Sequence, residues 1–215
     1  MWPETPQTQE MLDRAKQGEA DAVERLLTAH REPLRHMIDL RLDPALAARV
    51  DASDIVQEVL LEAHRRLSDY LRNPTMPFHL WLRHIAKDHM IDAHRRHRLA
   101  QRRSLDREQP IVPKALADHS SYELAGQILD QEPTPAAAAI RHELQKRLDA
   151  AVAALDEDDR DIILMRHGEQ LSNQDVAAAL GLTEAAASMR YLRAVRRLRA
   201  ALLPGGSADG ADPTA

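Results

Sequence analysis

The segment 171–198 constrains the fold more than any other part of the chain. Ser172 stands where a helix N-cap belongs, and Asp175 follows three residues later, at the spacing of a capping box. Val176, Ala177 and Leu180 give a short helix one apolar face. Gly181 ends it, because glycine takes up the left-handed backbone of a tight corner at little cost. Leu182 is an apolar plug in the turn, and Thr183 caps a second helix that should run to about Leu202. A capped helix, a glycine corner and a second capped helix are the grammar of a helix-turn-helix.

The second helix can be phased at about 100° per residue. Ala187, Tyr191, Ala194 and Leu198 fall on one side and should pack inward. Ala185, Met189, Leu192, Arg193 and Arg196 fall opposite, with Ser188 on the flank. An outer face of this kind is where a recognition helix reads base edges in the major groove. Arg193 should reach a base, whereas Arg190, Arg197 and Arg199 are better placed for phosphates. An arginine run alone more often marks a solvated helix in a bundle; the helix–glycine–helix grammar before it reverses that preference.

Helical patterning extends well beyond this segment. Aromatic residues make up 3% of the chain, and Ala and Leu dominate its apolar set, so an all-α fold is expected. Residues 8–99 show helical periodicity punctuated by Pro33, Pro44, Pro74 and Pro77. Residues 100–135 carry Pro110, Pro113, Pro133 and Pro135 on a weak apolar pattern, with a short helix near 122–129, and read as a flexible linker. Patterning resumes over 136–203 until Pro204-Gly205-Gly206 stops it; 204–215 form a small polar tail expected to be disordered. Two small helical domains, 1–99 and 136–203, are therefore expected.

The formal net charge is −5, which argues mildly against a nucleic-acid partner, but its distribution argues the other way. Arg83, Lys87, Arg95, Arg96, Arg98, Arg102 and Arg103 cluster against only Asp88 and Asp92. The last helix carries Arg190, Arg193, Arg196, Arg197 and Arg199 with no acid between. Local field decides where phosphate is attracted. There is no cysteine, and no apolar run approaches the roughly 20 residues of a membrane helix. Residues 1–10 lack the pattern of a signal peptide. A soluble, cytoplasmic protein without membrane insertion is expected. No phosphate loop, GxSxG or HExxH is present, and 7 Gly in all argue against a nucleotide-binding fold. The expectation is a non-enzyme without cofactor. His79, His84, His89 and His94 recur every five residues, which scatters them around a helix, so no metal site is expected.

Residues 155–202 resemble region 4 of the sigma-70 superfamily of RNA polymerase sigma factors. The shared features stand here as Ile163-Leu164, Arg166, Leu171-Ser172, Val176-Ala177, Leu180-Gly181 and the arginines 190–199. The resemblance implies a domain that reads the promoter −35 element through Ser188, Met189, Leu192 and Arg193. Arg166 would reach in from an earlier helix, and Arg190, Arg196 and Arg197 would support them. Ala186 replaces the family's common Thr, and Ser188 a frequently basic position.

The N-terminal half is similar to region 2. In 51–67, "DASDIVQEVLLEAHRRL", the residues Ile55, Val56, Val59, Leu60, Ala63 and Leu67 form a core stripe. Asp54, Gln57, Glu58, Leu61, Glu62 and Arg65 form the opposite face. The resemblance implies that Asp51, Asp54, Gln57, Glu58 and Leu61 dock on the β′ clamp helices of core polymerase, and that the β flap is a further contact. Residues 77–98 resemble the promoter-melting segment, with Trp81, Leu82, Ile85, Ala86 and Ile91 on its apolar framework and Trp81 in the core. The loop 72–77, with Asn73, Thr75 and Met76, corresponds to the segment that captures a flipped −10 base, and Lys87, Arg95, Arg96 and Arg98 would neutralise phosphates. Asp88 stands where the family often has Asn. No text of region 3 intervenes, which points to the extracytoplasmic-function (group 4) type, with a linker in the RNA-exit path and an anti-sigma factor as a potential partner.

Two other readings stay open at this point. One is a helix-turn-helix regulator that binds operator DNA without polymerase. The other is a protein-binding helical regulator, against which the two basic faces argue.

Overall fold

The computed structural model describes residues 2–3, 5–42, 44–47, 49–103 and 138–202. Among these, all regular structure is helical: α1 (Thr5–Lys16), α2 (Ala20–Arg41), α3 (Pro44–Ala47), α4 (Ala52–Arg72), α5 (Phe78–Arg103), α6 (Ala138–Ala154), α7 (Glu157–Ile163), a π-helical turn (Leu164–Gly168), α8 (Asn173–Leu180) and α9 (Glu184–Leu202). The chain divides into two compact units, Met1–Lys114 and Ala115–Ala215. The expected linker, the short helix within it and the C-terminal tail lie outside the described residues. Helix α5 runs to Arg103, past the boundary expected at residue 99.

In the first unit α2, α4 and α5 pack on one another, and α1 lies on α2. The stripe read from sequence supplies the core: Ile55, Val56, Val59, Ala63 and Leu67 are buried against Leu26, Leu34, Met37, Leu82, Ile85 and Ala86. Leu60 is only partly buried. Two expectations need correction. Pro33 does not punctuate but lies inside α2. A proline forfeits one backbone hydrogen bond there, yet Leu26, His30, Leu34, Met37 and Ile38 are buried on both sides of it and hold the helix together. Ile91 is not core framework but 47% exposed. At 100° per residue it lies about opposite Leu82 and Ala93, beside Lys87 and Arg95.

In the second unit α9 packs on α6, α7 and α8, and Arg147 of α6 donates to the Leu202 carbonyl at the end of α9 (2.6 Å). Each terminus in the helix-turn-helix has its cap. Ser172 Oγ accepts from Asp175 N (3.0 Å), and the Asp175 carboxylate accepts from Ser172 N (3.3 Å), completing a capping box. Gly181 has φ 64°, the left-handed region. Thr183 Oγ1 accepts from Ala186 N (3.1 Å) and caps α9.

Candidate nucleic-acid interface

Along α9 the inward stripe is as phased: Ala187, Ala194 and Leu198 are fully buried. Tyr191 is half-buried. Its hydroxyl is hydrogen-bonded to His167 Nε2 (2.9 Å), the two rings stack at 5.7 Å, and Arg166 lies over the phenol ring at 5.7 Å. Burial, and then the charge of Arg166, push the His167 imidazole down to about 4, so it is neutral at pH 7. Arg166 also donates to the Leu171 carbonyl (2.9 Å). It therefore braces the entry into α8 from within the π turn, where Leu171 N reaches back to Met165 O (2.9 Å).

The outer face holds two of the expected readers in the open: Met189 is 62% and Leu192 45% exposed, large values for side chains of this size. Arg196 is exposed beside them, and Ser188 is half-exposed. The remaining arginines are arranged differently from the expectation. At about 100° per residue, Arg193 lies roughly 40° from Arg197 and 60° from Arg190, and all three meet the acidic first turn of α7. Arg190 pairs with Asp158 (3.4 Å) and Arg193 with Asp159 Oδ1 (3.1 Å). Arg197 pairs with Asp159 Oδ2 (2.6 Å) and also with Asp156. Arg193 thus belongs to a flank stripe with Arg190 and Arg197 rather than to the middle of the outer face. Asp156 is the N-cap of α7, accepting from Asp159 N (2.9 Å). That backbone bond, and then Arg197, hold its carboxyl below the usual carboxylate range. Sequence reasoning missed these acid partners. Their signal is the run Asp156-Glu157-Asp158-Asp159 together with arginines at i, i+3 and i+7.

In the first unit, Asp54, Gln57, Glu58 and Leu61 share the exposed side of α4, Leu61 at 53%. Asp51 is the N-cap of that helix, its carboxylate accepting from Ser53 N (2.8 Å). Glu58 faces α5, where His89 (3.3 Å) and Arg96 (3.4 Å) reach it. Arg96 therefore lies on the α4 side of α5, about opposite Lys87, with Arg95 on the flank between them; both are exposed. Arg98 lies on α5 beyond the described side chains. The four histidines are scattered as expected: His79 packs near Trp2 (5.9 Å), His89 meets Glu58, His84 is exposed and His94 is half-buried.

The loop between α4 and α5 exposes Asn73 and Thr75, with Met76 half-buried. It is tied at its base: Tyr70 Oη donates to the Met76 carbonyl (2.9 Å). Burial raises the Tyr70 phenol above its ordinary value, keeping the donor protonated. Tyr70 packs at a tilt against Trp81 (4.7 Å) and meets Phe78 edge-on (5.5 Å). Trp81 is partly buried against the core, so its ring supports the loop.

The family model described as sigma-70 region 2 matches residues 27–100, and the one described as sigma-70, region 4, matches residues 145–198. The chain is 32% identical over 153 residues to the RNA polymerase sigma factor CnrH of Cupriavidus metallidurans, covering 71% of this chain and 73% of that one. The chain belongs to the sigma-70 superfamily of RNA polymerase sigma factors, extracytoplasmic-function type. The sigma factor is also 32% identical over 192 residues to the probable RNA polymerase sigma factor RfaY of Xanthomonas campestris pv. campestris, over 89% of this chain. It spans 43% of the length of that relative. It is 24% identical over 198 residues to the RNA polymerase sigma-H factor of Pseudomonas aeruginosa, covering 92% and 95% of the two chains. The solved structure of CnrH in complex with the cytosolic domain of CnrY shares its fold, with a TM-score of 0.57 at 23% identity, over 91% of this chain and 97% of that one. A second similar structure is the sigma factor RpoE in complex with the anti-sigma factor NepR from Bartonella quintana, with a TM-score of 0.50 at 20% identity, over 83% and 95%. Among the described residues no helix is long and apolar enough to cross a membrane.

Proposed function

We propose that this sigma factor directs core RNA polymerase to specific promoters and helps to open the −10 element, with no covalent chemistry of its own. The exposed face of α4, Asp54, Gln57, Glu58 and Leu61 with Asp51 at its start, docks on the β′ clamp helices, and the β flap is a further contact. The loop carrying Asn73, Thr75 and Met76 receives an extruded −10 base. A pocket for an unpaired base offsets the stacking lost on melting. Lys87, Arg95 and Arg98 bind the backbone of the opened strand, while Arg96, held by Glu58 on the α4 side, stands apart from them. Helix α9 lies in the major groove at −35. Met189, Leu192 and Ser188 face base edges there, Arg193 reaches in from the flank, and Arg190, Arg196 and Arg197 meet phosphate, with Arg166 bracing the entry into α8. The residues after Arg103, up to about 135, connect the two domains through the RNA-exit path.

The observation that carries this reading is the capped helix-turn-helix whose second helix leaves Met189 and Leu192 exposed beside basic residues. Apolar side chains at these two positions of a capped second helix suit contact with thymine methyl groups among base edges. Both similar solved structures are complexes, one of them with an anti-sigma factor, which supports an anti-sigma partner for this chain as well. The test is run-off transcription with core polymerase on genomic fragments, comparing the wild type with the Asp54→Lys/Glu58→Lys double variant. The variant should lose core binding and transcription while its melting temperature stays nearly unchanged, because exposed ion pairs contribute little. Undiminished core affinity in the variant contradicts the docking face. Specific operator binding by the sigma factor alone favours a polymerase-independent regulator.

A further inference from the structure

Asp159 stands out in the second unit because its side chain is fully buried and charged. A buried carboxylate is costly unless it is paired, and here both oxygens are taken by α9: Oδ1 by Arg193 Nη2 (3.1 Å) and Oδ2 by Arg197 Nη1 (2.6 Å). Asp156 supports the arrangement twice, by capping the backbone of Asp159 and by holding Arg197. The arginines themselves remain about half exposed, at 56% and 50%. A guanidinium carries five donors in a rigid fork. The hydrogen bond from Arg193 Nη2 to a carboxylate under the helix biases the direction of its remaining donors before any DNA arrives.

We propose that Asp159 is a positioning residue for −35 recognition: from α7 it fixes the guanidiniums of Arg193 and Arg197, and so sets which base pairs α9 discriminates. This rests on the reading of α9 as the base-reading helix. An arginine that swings freely meets any nearby phosphate or acceptor and must be ordered at each encounter, which costs conformational entropy. An anchored one meets only acceptors in its path. The carboxylate also offsets part of the positive charge of the stripe. Its effect is to trade general attraction for direction, the opposite of what an accessory cation would do.

The test uses holoenzyme assembled from core polymerase and the full chain, transcribing a promoter library randomised across the −35 element with the −10 element held constant. Wild type, Arg193→Ala and Asp159→Asn are compared position by position, with the melting temperature of each. Asparagine keeps the shape of the side chain and one acceptor but loses the charge and the second acceptor. Asp159→Asn should lower discrimination about tenfold at the base pairs that Arg193→Ala relaxes, within the range of one well-made arginine–guanine contact. Preference at the other positions should be retained, and activity on scrambled −35 sequences should rise, because the loss of the carboxylate unmasks positive charge. A wild-type preference profile in Asp159→Asn overturns the proposal. So does equal flattening at every −35 position, which marks a purely structural role. If Asp159→Asn melts below the assay temperature, Asp156→Asn replaces it, since Asn caps a helix as well as Asp. That variant should lose about threefold in discrimination, the worth of one exposed charge pair, and an unchanged profile overturns the proposal. A wild type with no −35 preference at all removes the base-reading assignment of α9, and the positioning role with it.

Discussion

Acidification should weaken the N-terminal unit through one residue, His30. Its side chain is fully buried in α2, with Nδ1–H donating to the Leu26 carbonyl (2.7 Å), Nε2 without a hydrogen-bond partner, and Phe78 (4.9 Å) and Trp2 (6.1 Å) around the ring. Burial lowers its pKa from 6.5 to about 4, with the nearby His79 adding slightly. The folded state therefore binds fewer protons than the unfolded chain between those two values. The stability contributed by neutral His30 is fully present above pH 6.5, falls as the pH drops below it, and is gone by about pH 4. A tenfold change in proton affinity corresponds to about 1.4 kcal/mol, so the interval amounts to about 3 kcal/mol, of which about 2 kcal/mol is lost between pH 8 and pH 5. The assay is urea unfolding followed by tryptophan fluorescence at pH 8 and pH 5. The chain has 2 Trp, Trp2 and Trp81, both in this unit, so the signal is blind to His167 in the other. His30→Asn removes the titration while keeping a donor near the position of Nδ1. It should start less stable and lose about 2 kcal/mol less than the wild type over the same interval. An equal loss in both proteins would refute the assignment of the acid sensitivity to His30.

Three further outcomes are expected. Arg193→Ala and Arg197→Ala share Asp159, so their effects on the stability of the second unit should deviate from additivity by about 0.5 kcal/mol or more in a double-mutant cycle; strict additivity would mean that the shared carboxylate is not coupling them. Ser172→Ala should cost about 1 kcal/mol by removing the capping box of α8, and Gly181→Ala about 1–2 kcal/mol from the left-handed backbone alone, since a Cβ there meets nothing within 4 Å; thermal melts of the two variants check both. Limited proteolysis should cut first within residues 104–135, past the end of α5, and release two helical fragments, whereas first cleavage inside α4 or α9 would contradict the two-domain division.

Local signals in the sequence are the dependable ones. The capping box, the glycine corner and the cap of α9 each depend on residues a few positions apart, and each stands where the text places it. The core stripe of α4 is legible for the same reason, since burial of one helix face leaves a periodic trace. Pro33 misleads because its local penalty is outweighed by tertiary burial on either side. Ile91 misleads because an apolar residue reads as inward, although its phase puts it with Lys87 and Arg95. The arginines of α9 are the hardest case. Phasing tells which side of a helix a residue occupies but not what lies against that side. For Arg193 and Arg197 the neighbour is an acidic turn far back in the chain, which no pattern within α9 reveals.

That separation matters to anyone who would re-target such a protein. Arg193 and the carboxylate that holds it are 34 residues apart in sequence, on helices with the whole corner between them. A chimera that exchanges only residues 184–202 transplants the fingers without the palm. The grafted helix would bring arginines shaped for another acidic turn and lay them against this one. On the proposed reading of α9, a graft should carry α7 with it and keep the packing of α6 on α9, and a library for altered promoter choice should vary the first turn of α7 together with the outer face of α9.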